Sequence, residues 1–274
     1  MVGRSLSHQE FRKILGTIPS AAERISGFSM GKTLNQGRQL LTDVEFRMEA
    51  ADLDALVAQR RSIRGYKDKP VPKELIDEII SVAKGAPSSM NTQPWFFHVV
   101  TGEPLEKIRK GNTERMLAGA DVDREIRTNH GYEGAYRQRQ VDIAKALFAK
   151  MGIAREDAEA RQDWVMRGFR QFDAPVSVVM TCEKTMEHDT ICHFDMGAAV
   201  YGLVLAAWSR GLGSVINGQG IMQSSVVRQH ANIPPDQTIM TCIAMGWPDF
   251  EFPANEVKSV REENSNFVTY TGFE

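Results

Sequence analysis

Apolar positions fall into two rhythms along the chain, a helical period near 3.6 residues and short unbroken runs. Lys73 to Lys84 carries Leu75, Ile76, Ile79, Ile80 and Ala83 at helical spacing and predicts an amphipathic helix. Between Leu40 and Ala58, Leu41, Val44, Phe46, Met48, Leu53, Leu56 and Val57 suit helices that lead into a basic stretch. Trp95 to Thr101, with Phe96, Phe97, Val99 and Val100, reads as a buried strand. Ala174 to Thr181 reads as a second apolar strand and Gln237 to Met245 as the last core strand. Pro104 to about Arg170 is mostly helical and laced with charge. Phe194 to Arg210 is the clearest helix, and Gly211 stands where a helix-ending glycine belongs. Its Gly197, Ala198, Ala199, Gly202, Ala206 and Ala207 would let another helix approach closely, in the core or between subunits. Ser224 to His230 predicts a short helix. Residues 1–52 read as a helical extension before a domain spanning 53–274, with a capping box at Ser7 to Glu10 and a Gly/Ser-rich loop from Gly27 to Gly37.

Composition narrows the classes. The chain has 274 residues, is 42% hydrophobic and carries a net charge of −2. That supports a sizeable core and speaks against nucleic acid, whose binders show a basic surplus. The longest uncharged apolar run, Met196 to Ser209, falls short of the roughly 18 residues a bilayer requires, so no membrane is expected. His8, Glu10 and Arg12 interrupt the N-terminus where a secretory signal would be apolar. Cys182, Cys192 and Cys242 are odd in number and lack a CxxC, which suggests buried thiols in a reducing cytoplasm.

The chemistry gathers in two stretches. Arg60-Arg61-Ser62-Ile63-Arg64-Gly65-Tyr66 puts three guanidinium groups and a hydroxyl within five residues. If extended, it alternates Arg60, Ser62 and Arg64 on one face with Arg61 and Ile63 on the other. Such forks suit phosphate oxygens, although a short basic run is by itself most often a solvated turn. Pro87-Ser88-Ser89-Met90-Asn91-Thr92-Gln93-Pro94-Trp95 holds hydroxyls and amides between prolines that fix the loop. Together these two motifs resemble the FMN-dependent nitroreductase family, and the likeness runs from about Leu53 to the C-terminus.

The resemblance implies an α+β fold with a mixed, mainly antiparallel sheet flanked by helices in an intertwined homodimer. It implies that Arg60, Arg61 and Ser62 bind FMN phosphate and ribityl, joined by Lys258 and Arg261 from the tail. Arg64 would stand at the N1 and O2 edge of the flavin, and Asn91 would read its pyrimidine edge. Ser88 and Ser89 would contribute from the loop, reaching the other subunit's flavin. In Gly211 to Gly220 the resemblance makes Gly218 the backbone donor to flavin N5, with a register open by one residue because Ile216-Asn217 departs from the family's pattern. The helical region 104–170 would cover the neighbouring subunit's flavin, so Tyr132, Tyr136, Phe148, Trp164, Phe169 or Phe172 could line a substrate pocket, or simply pack. The implied activity is ping-pong: NAD(P)H delivers hydride, then a nitroaromatic or quinone takes two electrons, with no covalent nucleophile. Enone reduction, aromatic dehalogenation and a non-catalytic flavin-binding module stay open beside it.

Other candidates read as structural. His98 suits a hydrogen-bonded strand residue better than a catalyst. Gly31-Lys32-Thr33 lacks the upstream glycine and strand of a phosphate loop. His188, Asp189, Cys192 and His193 have partial zinc spacing, but no fourth ligand is evident and caps of the following helix explain them.

Overall fold

A computed structural model describes residues 50–128 and 131–273. The expected capping-box helix and Gly/Ser loop lie outside these residues. Leu53–Glu274 form one compact unit. Among the described residues there are seven α-helices: α1 Ala50–Gln59, α2 Lys73–Ala83, α3 Gly102–Leu117, α4 Gly134–Lys150, α5 Ala158–Phe169, α6 Thr190–Ser209 and α7 Ser224–His230. Four strands accompany them: β1 Phe96–Thr101, β2 Val176–Glu183, β3 Gly213–Ile216 and β4 Gln237–Gly246. The mixed α+β architecture expected from the resemblance is what the chain adopts.

The sheet runs in the order β1-β2-β4-β3, and each neighbouring pair is antiparallel. Among the described residues the single parallel contact is the Ser62–Ser214 bridge, which lays the arginine stretch along the β3 edge. Central β2 is buried for its first seven residues. Val178, Met180 and Cys182 face one side with Ile76, Ile79, Met196, Ala199, Leu203 and Ala207 of α2 and α6. Val179 faces the other, with Leu105 and Ile108 of α3 and Val227 of α7. Alternation along the strand therefore makes two cores, one on each face. A register shift between Met180 and Thr181 lets Ile239 and Cys242 of β4 share the second face. β1, expected as a buried strand, is an edge strand, and Phe96 and Val99 stand exposed. Its apolar run resembles a central strand in composition alone; the sheet places only one neighbour beside it.

α6 begins four residues earlier than the pattern suggested. The Asp189 carboxylate caps it, accepting from the Ile191 and Cys192 N–H groups, so part of the apparent metal cluster serves as a helix start. Gly211 has φ +79° and closes the helix, with its N–H on Trp208 O and Leu212 N–H on Ala207 O. α6 has 20 residues and contains an 18-residue window of mean hydropathy 1.4, so it is long and apolar enough to cross a bilayer, contrary to the reading of the sequence. The uncharged run is bounded by Asp195, which the helix carries within its interior. Half of the apolar window is buried in the fold.

Candidate functional site

The arginine stretch is fixed before its side chains act. Arg60 N–H donates to Leu56 O, so Arg60 still belongs to the exit of α1. The chain extends only afterwards: Ile63 N–H bonds Ser214 O, Lys67 N–H bonds Trp247 O, and Tyr66 pairs with Pro248. The expected alternation therefore fails at its first member. Arg60 and Arg61 line the same cavity of about 220 Å³, with Lys258, Ser259, Arg261 and Tyr201. Four cations from the two ends of the domain meet there. Such a donor set fits a phosphate dianion, which presents several acceptor oxygens to forked and single donors.

Arg61 is held rigidly. Its guanidinium lies 5.6 Å from the ring centres of both Trp208 and Phe250, and Nε donates to Asn255 O at 2.6 Å. Asn255, almost fully buried, is a functional-site residue that sequence reasoning missed. Its Oδ1 accepts from Arg64 N–H at 2.6 Å and Gly65 N–H at 3.2 Å. Its Nδ2 donates to Gly65 O and Asp249 O. Gly65 must stay small here, since a Cβ would sit 2.2 Å from the Phe252 ring. Burial pushes the Arg64 guanidinium below its ordinary pKa, with the neighbouring Tyr66 partly opposing, but an arginine so shifted keeps its charge. Burial also holds the Tyr66 hydroxyl protonated, and it donates to Ile63 O and Ala244 O.

The second stretch forms a tight loop. Met90, Asn91 and Gln93 all take φ near +50 to +60°, a region costly for side chains other than Asn. Among the bonds that hold it, Asp195 Oδ2 accepts Ser89 N–H at 2.9 Å, Ser88 Oγ accepts Gln93 N–H at 3.0 Å, and Ser88 O and Ser89 O accept the Asn91 and Thr92 N–H groups. Asp195, the other missed residue, is buried. It is the one acid between Asp189 and Asp236, on an apolar helix, a signal the sequence did offer. Ser89 and Asn91 are exposed and do not line the cation cavity of their own chain. Gly218 also stands apart from it. Its φ of −69° suits any residue, and nothing lies within 4 Å of a Cβ built there, so no contact inside this chain demands glycine.

His98 is half-buried on β1, and Nε2 sits 3.0 Å from Thr181 Oγ1 and 2.7 Å from Gln237 Oε1, as a hydrogen-bonded strand residue would. Phe169 and Phe172 are buried, and Trp164 and Phe172 pack with ring centres 6.4 Å apart. Tyr132 and Tyr136 are exposed. The three cysteines are buried free thiols, as their number suggested.

Comparison with known proteins adds an independent finding. A family model described as "Nitroreductase family" matches residues 57–247. The chain is 34% identical over 224 residues to a chloronitrobenzene nitroreductase of Comamonas testosteroni, covering 80% of this chain and 96% of that one. It is 35% identical over 222 residues to a nitrobenzene nitroreductase of Ectopseudomonas oleovorans, with the same coverage. The crystal structure of the FMN and NADPH-dependent nitroreductase NfnB from Sphigopyxis sp. strain HMH superimposes with a TM-score of 0.76 at 29% identity, covering 82% of this chain and all of that one.

Proposed function

Because the chain belongs to the nitroreductase family, we propose that it is an FMN-dependent oxidoreductase that takes two electrons from NAD(P)H and reduces nitroaromatic compounds, acting as a homodimer. The observation that carries this reading is the convergence of Arg60, Arg61, Lys258 and Arg261 on one small cavity. FMN, when bound, supplies the hydride-accepting and electron-donating chemistry. The chain supplies position and field. The four cations hold the phosphate, with Ser259 beside them, whereas Ser62, expected among them, lies outside the cavity lining and bridges to Ser214. Arg64, its backbone clamped by Asn255, places a fixed positive charge where negative charge grows at the N1 and O2 edge. Gly218 offers an N–H to N5. The Ser88 to Asn91 loop, absent from its own chain's cavity, serves the partner's coenzyme and reads the pyrimidine edge. The names of the two relatives above favour nitrobenzenes as oxidants, taken in a ping-pong cycle. Buried free thiols support a reducing, cytoplasmic setting.

Support for the dimer comes from α6. Ala199, Ala206 and Ala207 face the core, and Gly202 faces Ala83 of α2. On the opposite face Ile191, Phe194 (78% exposed), Gly197 and Tyr201 form an uncovered apolar stripe. The tail adds exposed Phe267, Tyr270 and Phe273.

The test is direct. Purified protein incubated with FMN and desalted turns yellow, bleaches with NADPH or NADH without oxygen, and recolours with nitrobenzene or chloronitrobenzene. A protein that stays colourless overturns the reading. A holoprotein that recolours with enones or halophenols but not with nitroarenes moves the function to another chemistry on the same scaffold.

A further inference from the structure

The turn that carries Gly218 is held by side chains. Asn217 is 4% exposed, yet each of its polar groups is engaged. Nδ2 donates to Gly168 O at 2.8 Å, and Oδ1 accepts Gln219 N–H at 3.1 Å. The backbone N–H donates to Cys242 O at 2.7 Å, and the carbonyl accepts the Cys242 thiol at 3.1 Å. Gln219 then reaches Val165 O through Nε2 at 3.3 Å. Between these anchored neighbours, Gly218 N–H has no acceptor among the described residues. Val165 and Gly168 both belong to α5. The same helix carries Arg167, whose Nη2 donates to Arg64 O at 3.3 Å and whose guanidinium stacks on Phe252 at 4.9 Å. One helix thus touches both the Gly218 turn and the Arg64 strand.

We propose that Asn217 is a positioning residue for the Gly218 N–H, and that α5 is the brace that fixes this donor relative to the Arg64 cation. The proposal rests on the FMN reading of the site. A flavin ring is rigid, so the distance between its N1 edge and N5 is constant. A donor and a cation stabilise it together only if the protein holds their separation equally constant. Gly218 cannot do this itself, having no side chain and an ordinary φ. Fixing its neighbours with hydrogen bonds to a helix, the one from Asn217 buried, makes the donor preorganised, and a misplacement of about 1 Å at such a centre costs on the order of 100-fold in rate.

Full-length Asn217→Ala, Asn217→Asp and Gln219→Ala are compared with wild type as FMN-loaded proteins. FMN affinity by fluorescence titration stays within about 3-fold of wild type, because the cation cavity is untouched. The visible FMN band and the two-electron midpoint potential both shift in Asn217→Ala, and anaerobic reduction by NADPH slows about 10-fold or more. Asn217→Asp, which keeps the acceptor for Gln219 N–H but sets a carboxylate oxygen against Gly168 O, shifts at least as far as Asn217→Ala. Gln219→Ala shifts in the same direction as Asn217→Ala and decides the matter if that variant does not fold. A lower Tm with unchanged band, potential and reduction rate would show Asn217 to be merely structural and overturn the proposal. A wild-type protein that takes up no FMN removes the functional reading itself, whereas a yellow wild type with unshifted variants removes only the brace.

Discussion

Asn255 shows how much a single amide can organise. It satisfies the backbones of Arg64, Gly65 and Asp249 at once, and its own carbonyl orients Arg61. Asn255→Ala leaves the Arg64 and Gly65 N–H groups without their acceptor, so we expect a loss of about 2–4 kcal/mol in denaturant unfolding together with weaker FMN retention. The cation cavity makes a separate prediction. Arg60→Ala or Arg261→Ala removes one charge-assisted contact and leaves the folded chain intact, so FMN affinity falls about 10-fold or more for each while Tm of the apoprotein changes little. The thiols predict alkaline behaviour. Burial pushes Cys182 and Cys242 up to about 12, above the free value of about 8.5. The folded state therefore prefers the protonated thiols, so their contribution to stability is complete below pH about 8.5 and is lost as pH rises towards 12. Unfolding midpoints measured from pH 8 to 11 should fall, and the fall should be shallower in Cys242→Ala.

Among the elements, α6 carries the most separate duties. One face packs the sheet and α2, its N-terminal half anchors the Ser89 loop through Asp195, and Trp208 supports Arg61. The remaining stripe has no partner among the described residues. Phe194→Glu adds charge at an exposed position, so the subunit should fold with little change in secondary structure. Sedimentation velocity should nevertheless show the dimer shifting to monomer, with loss of bound FMN because the Ser88 to Asn91 loop no longer reaches its partner's site. An unchanged dimer would remove this stripe from the interface. The helices and strands were largely legible because their apolar periods are strong, as in α2 and β4. β1 misled, since Phe96 and Val99 look like core residues and composition does not say which strand ends a sheet. The start of α6 was hidden because Asp189 and His193 resemble a ligand group as much as a cap.

For the whole molecule, the family resemblance joined the arginine stretch and the tail cations into one set, and the structure brings them together across about two hundred residues of chain. What the sequence could not show were the supports Asn255, Arg167 and the clamp made by Asn217. Each acts through contacts between segments distant in sequence, and a lone side chain of this kind carries no pattern of its own. Four like charges forced into one small space also have a consequence for the protein's life in the cell. They repel until an anion arrives, so inorganic phosphate should raise the apoprotein's melting temperature modestly and FMN strongly. Chains synthesised faster than riboflavin metabolism can furnish their coenzyme would then be the vulnerable fraction, and proteases would set the enzyme's abundance by the vitamin supply.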